Sequence, residues 1–302
     1  MPFASNIRLE CKGQVELLRK DKSATKEHLL YHVIFMTKFF LYFATALYLI
    51  VNTIKKIIIK RIFIPVITNA TFKNREFIIP RGPFKGMKYN IREAHGSTWL
   101  PKLFGIYESE LHPTLNEIIS DRLPTYDVII DVGTADGYYL TGFALKSKNL
   151  NKSIDLIGFE LDEKRRNECK RLSQLNGVND VKLLKKGTPQ NLASVVKKYK
   201  KGLIFCDCEG CEFTLFSKSM IKNLTNFDLL IEIHDIEEGE SAFNIFIKKL
   251  SKHFDIDIIG ANKILNMNKI EDVKIPKFIL REIFTEGRIK SVGWIYAKSK
   301  SN

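Results

Sequence analysis

Cysteine is scarce in this chain, with five in 302 residues, and the count is odd. Cys11 and Cys169 stand alone, while Cys206, Cys208 and Cys211 cluster without regular spacing. That usage excludes a disulfide framework and points to a reducing compartment. A structural zinc site is excluded by the same count, since it wants four ligands at set spacings and the cluster offers three. No metal is therefore expected, and the three clustered cysteines read as small buried residues. The chain also lacks the polar, charge-rich composition of a disordered protein. Hydrophobic residues make up 45% and charged residues 27%, enough for one sizeable core plus an extension.

Long uncharged stretches are missing too, except for one. Residues 33–54 carry a single charge, Lys38, and none from Phe39 to Ile54. A membrane-spanning helix needs about 20 mostly apolar residues, so this window is long enough. Lys55, Lys56, Lys60 and Arg61 follow at once. A basic flank of this kind belongs on the cytoplasmic side, which places the C-terminal part of the chain in the cytoplasm. A helix lying in the membrane interface is the second reading, and a hydrophobic helix packed on the domain is the third. The apolar run starts late and no small-x-small site follows it, so a cleaved signal peptide is not expected.

The formal net charge is +14, and residues 1–70 hold 11 Lys and Arg against 4 Asp and Glu. The basic excess is thus densest near the apolar run, where it suits an anionic lipid surface. The Lys and Arg of residues 163–201 read as solvated helix faces. Residues 1–32 show no sharp pattern and are expected to form a poorly ordered extension before the hydrophobic segment 33–61. Residues 62–121 read as a connecting region. Phe77–Ile79 and Met87–Tyr89 flank the turn-rich Pro80-Arg-Gly-Pro-Phe-Lys-Gly86, which predicts a hairpin, and Tyr107–Ser120 predicts a helix.

From residue 122 onward, apolar runs alternate with amphipathic stretches. Strands are expected at Asp127–Val132, Asp155–Phe159, Val181–Leu184, Leu203–Asp207, Asp228–Ile233, Phe254–Ile259 and Val292–Ala297. Helices are expected at Gly137–Ser147, Glu163–Asn176, Pro189–Tyr199 and Ser241–Lys252. The alternation predicts an α/β fold, a Rossmann-like doubly wound and mostly parallel sheet with both faces covered. Ligands bind such sheets outside the carboxyl ends of the strands.

The chemistry-bearing residues do follow strand ends. In VIIDVGTADGYY (128–139), a strand runs into Asp131, and a loop with Gly133, Thr134, Ala135 and Gly137 opens a helix. The dinucleotide fingerprint G-x-G-x-x-G is not met, because position 135 is Ala and position 138 is Tyr. The spacing D-x-G-x-A-x-G resembles motif I of class I methyltransferases, with Ala135 a mild departure. In IGFELDEK (157–164), Glu160 ends the next strand and is followed by Leu161. A carboxylate there can accept both hydrogen bonds of a ribose diol. In LIFCDCEGCEFTLF (203–216), Asp207, Glu209 and Glu212 follow a third strand. In DLLIEIHD (228–235), Glu232 and His234 end a fourth. Alone, each acid reads as a helix cap or a surface carboxylate, and His234 as a structural histidine. Their convergence on adjacent strand ends reads as an active site.

The order of glycine loop, acidic strand end, D-x-E-G-x-E (Asp207, Glu209, Gly210, Glu212) and E-x-H (Glu232, His234) resembles the FkbM-type methyltransferase family over about residues 75–300. The resemblance implies a seven-stranded sheet with an antiparallel last strand, S-adenosylmethionine as methyl donor, and O-methylation of a hydroxyl. Members act on polyketides, sugars and other secondary metabolites, so the acceptor does not carry over; a hydroxyl on a sugar, glycan, lipid or secondary metabolite is expected. Asp131, Gly133, Thr134, Ala135, Gly137, Glu160, Leu161 and Asp207 are then the expected donor-binding residues, and His234, Asp207 and Glu209 the expected catalytic ones. His234 is the preferred base because an unperturbed imidazole titrates near neutrality. A nucleic-acid methyltransferase is disfavoured. The N/D-P-P-Y-like tetrad of base-amino methyltransferases is missing where Asp207-Cys-Glu-Gly210 stands, and an acidic rim repels phosphates. A membrane-tethered binding module without chemistry is the remaining alternative.

Overall fold

The computed structural model describes residues 25–58, 76–90, 99–234, 240–260 and 293–300. The chain divides into two compact units, Met1–Phe63 and Ile64–Asn302.

The described residues of the first unit form helix α1 (Thr25–Ile58). It begins within the stretch expected to be a poorly ordered extension, of which residues 1–24 lie outside the described residues. Phe35–Ile54 form 20 residues with a mean hydropathy of 1.4, long and apolar enough to cross a membrane. Their large side chains, among them Phe40, Leu41, Tyr42 and Tyr48, are exposed. Thr45 and Thr53 turn their hydroxyls back onto the carbonyls of Leu41 and Leu49, at 2.7 and 2.8 Å. These two polar groups are thereby satisfied within the helix, as an apolar surrounding requires.

The second unit opens with a two-stranded antiparallel hairpin, β1 (Glu76–Ile78) and β2 (Lys88–Asn90). Its turn carries Phe84, whose ring lies against Tyr138, Tyr139 and Phe143. Asn176 ties β2 down, accepting from the Lys88 N–H and donating to the Lys88 carbonyl, both at 2.8 Å. Helix α2 (Trp99–Phe104) and helix α3 (His112–Glu117) follow. The helix expected at Tyr107–Ser120 is broken into a 3-10 turn at Ser109–Leu111, α3, and a wide turn at Ile118–Arg122. Pro113 explains the break: it opens α3 at its first turn, where a missing N–H costs nothing.

The main sheet has seven strands: β3 (Val128–Val132), β4 (Asp155–Phe159), β5 (Val181–Leu184), β6 (Gly202–Cys206), β7 (Phe227–Ile233), β8 (Phe254–Gly260) and β9 (Gly293–Ser299). Their spatial order is β5-β4-β3-β6-β7-β9-β8. The first five are parallel. β9 inserts antiparallel between β7 and β8. The connecting helices are α4 (Tyr138–Asn149), α5 (Glu163–Leu175), α6 (Pro189–Val196), the short α7 (Glu212–Leu215) and α8 (Lys218–Asn223), and α9 (Glu240–Leu250). This is the doubly wound, Rossmann-like, mostly parallel sheet expected from the sequence, including its antiparallel last strand. Strands β3, β6 and β7 are buried along their whole length, which is why they read as unbroken apolar runs. The order reverses between β3 and β6, and that switch point is where such sheets open a crevice.

One buried ion pair anchors the sheet. Asp228, 1% exposed, accepts two bonds from Arg122 at 2.7 and 2.8 Å, one from the Tyr126 hydroxyl at 2.5 Å and one from the Ser299 N–H at 2.7 Å. It thus joins the entry to β3, the start of β7 and the end of β9. Arg122 is only partly buried, so removing Asp228 takes a charged acceptor from three donors and does not strand a buried charge, at a cost of about 1–3 kcal/mol. Asp228→Ala should lower unfolding free energy by that amount in a urea titration. A loss below ~1 kcal/mol would show that the network adds nothing net.

Candidate active site

A cavity of about 640 Å³ lies at the carboxyl ends of β3, β4 and β6. One side is formed by Gly133, Ala135, Glu160 and Leu161, the opposite side by Asp207, Cys208, Glu209 and Cys211. The sequence-derived residues are therefore brought together across the switch point, but they do different work there.

Gly133 is a glycine because two strands meet. Its φ is +88°, and a Cβ would lie 1.7 Å from the Asp207 carbonyl oxygen. The backbone needs the missing side chain before any ligand does. Gly137 packs rather than lines: a Cβ there would meet Cys169 Sγ at 2.4 Å. Asp131 and Thr134 are buried and lie outside the cavity lining. Thr134 donates its hydroxyl to the Asp131 carbonyl at 2.8 Å, closing the loop on the strand. Burial, followed by the neighbouring Asp207 and Asp136 carboxylates, raises the Asp131 pKa well above the usual range.

Ala135 holds a left-handed φ of +48°, an arrangement that costs energy unless its surroundings over-determine it. Glu160 supplies the restraint. One carboxylate oxygen accepts the Ala135 N–H at 3.0 Å, the other the Asp162 N–H at 2.9 Å. The carboxylate is thus oriented by backbone donors on both oxygens, and each oxygen keeps a second lone pair. Leu161, next in the chain, is exposed on the cavity wall.

The acidic wall is built around His234, which ends β7. Its Nδ1 lies 2.8 Å from the fully buried Glu212 carboxylate. Its Nε2 is 3.5 Å from Asp207 Oδ1, 3.5 Å from Glu209 Oε2 and 3.8 Å from Glu232 Oε2. The last acid of D-x-E-G-x-E is therefore the partner of the histidine in E-x-H. Burial opposes a charge on the ring, but the Glu212 hydrogen bond and the Glu232 and Asp207 carboxylates outweigh it and raise the His234 pKa to about 9. The near-neutral imidazole assumed from sequence does not persist in this setting; the free ring carries its proton at neutral pH. Burial and then Glu108 push Asp207 up to about 6, against the pull of His234. Burial raises the Glu212 pKa, but the His234 hydrogen bond, the backbone N–H groups of Glu212 and Gly210 and the charge on His234 together hold it below its usual value. Asp207 and Glu209 line the cavity, whereas His234 is outside its lining.

Two sequence readings need correction here. Cys208 and Cys211 are disulfide-bonded, while among the described residues Cys206 and Cys169 are free and buried. The intervening Glu209 and Gly210 both have positive φ, +56° and +108°. The tight turn they make brings the two cysteines together, and the turn signal of Glu209-Gly210 was the available cue. The solvated-face reading of the basic residues of 163–201 is too narrow, since Arg165, Lys185 and Lys186, although exposed, also line the cavity. Lys185 and Lys186 directly follow β5, so the strand-end rule that singled out Glu160 applies to them equally.

Other cavity residues come from the segment read as a connector. Lys102 and Tyr107 line the cavity. The Lys102 ammonium pairs with Asp136 at 2.9 Å and sits 5.0 Å over the Tyr107 ring. Lys102, with a hydrogen bond from Tyr89, holds Asp136 below its usual pKa despite burial. Glu108, buried, accepts from the Tyr139 hydroxyl. No sequence signal marked these residues, since Asp136 lies 34 positions from Lys102 and Tyr139 lies 31 from Glu108.

No protein family and no curated protein matches the chain. Solved structures do. It resembles a ribosomal protein L11 methylase from Lactobacillus delbrueckii subsp. bulgaricus at 13% identity, covering 63% of this chain and 77% of that one, with a TM-score of 0.35. A putative SAM-dependent methyltransferase from Streptococcus mutans is similar at 13% identity, over 74% of this chain and 56% of that one, with a TM-score of 0.41. Aeropyrum pernix fibrillarin, solved with natively bound S-adenosyl-L-methionine, is similar at 13% identity, over 67% and 72%, with a TM-score of 0.34. The likeness is one of fold.

Proposed function

We propose that this chain is an S-adenosylmethionine-dependent methyltransferase acting on a hydroxyl group of a sugar, glycan, lipid or secondary metabolite, in the manner of the FkbM-type family. The observation that carries the reading is Glu160. Its carboxylate is aimed by two backbone N–H groups at the rim of the cavity, beside the Gly133–Ala135 loop. That is the disposition a ribose diol needs. Cavity volume and donor set fit a nucleoside-sized ligand.

The bound donor supplies an electrophilic methyl group on a sulfonium. The protein's part is to hold the two reactants in line and to take a proton from the acceptor. Glu160 and the backbone at Gly133 and Ala135 position the donor. An acceptor hydroxyl entering the cavity meets Asp207 and Glu209, with His234 Nε2 3.5 Å behind both, and its proton leaves into this cluster. Asp131, Thr134 and Gly137 act by shaping the loop.

Calorimetric titration of the full chain with S-adenosylmethionine tests the reading, with micromolar affinity expected. Glu160→Ala should weaken that affinity by about 1–3 kcal/mol, the range for hydrogen bonds to a charged acceptor. Unchanged affinity would make Glu160 a loop brace only.

The exposed apolar surface of Phe35–Ile54 and the basic residues after it support attachment to a membrane, with the catalytic unit on the cytoplasmic side. On fractionation the full chain should sediment with membranes and leave them only with detergent. Release by high salt alone would overturn an apolar anchor and leave a charge-driven association.

A further inference from the structure

We infer that Asp207, Glu232 and His234 form a binding site for one divalent transition-metal cation on the wall of the cavity. Among the described residues these three offer His234 Nε2 and two carboxylate oxygens within 4.8 Å of one another. Ligands about 2.1–2.2 Å from a shared ion stand 3–4 Å apart. The 3.5 Å from Nε2 to Asp207 Oδ1 and the 3.8 Å from Nε2 to Glu232 Oε2 fall in that range.

Two further observations point to a ligand. Asp207 Oδ1, the oxygen that faces Nε2, is buried and has no hydrogen-bond partner among the described residues. An oxygen so placed loses its water without replacement, and His234 Nε2 at 3.5 Å does not make up for it with a hydrogen bond; an ion held between the two would engage both. Next, His234 is held from behind. Glu212, fully buried, engages Nδ1 at 2.8 Å. A carboxylate on one imidazole nitrogen fixes the tautomer and turns the lone pair of the other outward, the arrangement that supports metal-bound histidines. Metal binding displaces the proton that the free ring carries, and Nε2 then faces two carboxylate oxygens at 3.5 and 3.8 Å. Charge agrees: Asp207, Glu209, Glu212 and Glu232 all lie within 4 Å of one ring, and one imidazolium cannot balance four carboxylates. One imidazole with two carboxylates suits Mn²⁺, Fe²⁺ or Zn²⁺.

Asp207 also lines the cavity, so the ion would have an open side toward it. Its use there, to hold an acceptor oxygen and lower its pKa, rests on the methyltransferase reading, but the binding itself does not.

The test is titration of the detergent-solubilised full chain with Mn²⁺, followed by electron paramagnetic resonance. S-adenosylmethionine binding is measured on the same sample. The expected result is loss of the six-line aqueous Mn²⁺ signal at equimolar metal, with spin-echo modulation from an imidazole nitrogen. Glu212→Gln should weaken binding about 10–100-fold, as loss of an outer partner does. His234→Gln should weaken it at least as much. A persistent aqueous signal, bound Mn²⁺ without nitrogen modulation, or wild-type affinity in His234→Gln would each overturn the site. The wild-type nitrogen signal decides the matter even if a variant does not fold. Donor binding without Mn²⁺ binding refutes this inference alone; Mn²⁺ binding without donor binding refutes only the methyltransferase reading.

Discussion

Gly133→Val should abolish measurable S-adenosylmethionine binding and destabilise the sheet. The sequence offers one reason, a branched side chain beside the ligand. The structure supplies a stronger one. A Cβ at residue 133 falls 1.7 Å from the Asp207 carbonyl oxygen and 2.7 Å from its carbon, both backbone atoms. The φ of +88° adds a conformation that β-branched residues avoid. Backbone cannot rotate away as a side chain can, so the loop after β3 and the loop after β6 must part. These loops are the two opposing walls of the cavity. Calorimetry should register no heat, and thermal unfolding should come at lower temperature. Wild-type affinity in this variant would remove the loop from the site.

His234→Gln should leave donor affinity nearly unchanged while lowering turnover by a factor of ~10²–10⁴, the usual effect of disabling an acid–base group, because the protonated ring holds Asp207 as the carboxylate that takes the acceptor's proton. The separation is possible because His234 stands outside the cavity lining, whereas Glu160 and Ala135 are part of it. Glutamine keeps an amide that can donate to buried Glu212, which limits the damage to folding. The measurement needs an acceptor. Membrane and glycan extracts incubated with labelled donor identify the fraction that gains the methyl group, and single-turnover rates follow on that fraction. Full activity in the variant would exclude His234 and leave Glu209, on the cavity wall, as the next candidate.

The same contrast marks what was legible in the chain before it was folded. Strand ends are local features. Asp131, Glu160, Asp207 and His234 each follow an apolar run, and a parallel sheet with helices on both faces must bring its carboxyl ends to one side. The roles within the site were not local. Asp131, Thr134 and Gly137 stand in the glycine motif yet shape the loop instead of lining the cavity. Glu212 reads as a helix cap, and only the register of β6 beside β7 sets it against His234, 22 residues on. That pairing changes the chemistry of the ring, since an imidazole among four carboxylates holds its proton more tightly than a free one.

By itself, the sequence determined the succession of βα units, the glycine turn after β3, the acid after β4 and the apolar helix near the N-terminus. Each of these depends on residue order within about a dozen positions: hydrophobic period, turn residues, charge flanks. Tertiary structure alone decided the rest. It placed β9 between β7 and β8 and carried Lys102 and Tyr107 from an apparent connector into the cavity. It also set Glu108 against the Tyr139 hydroxyl. The physical reason is separation along the chain. Asp228 meets Arg122 across 106 residues and Tyr89 meets Asp136 across 47. Such pairs form only because packing the sheet and its helices brings together groups whose local sequence holds no information about one another.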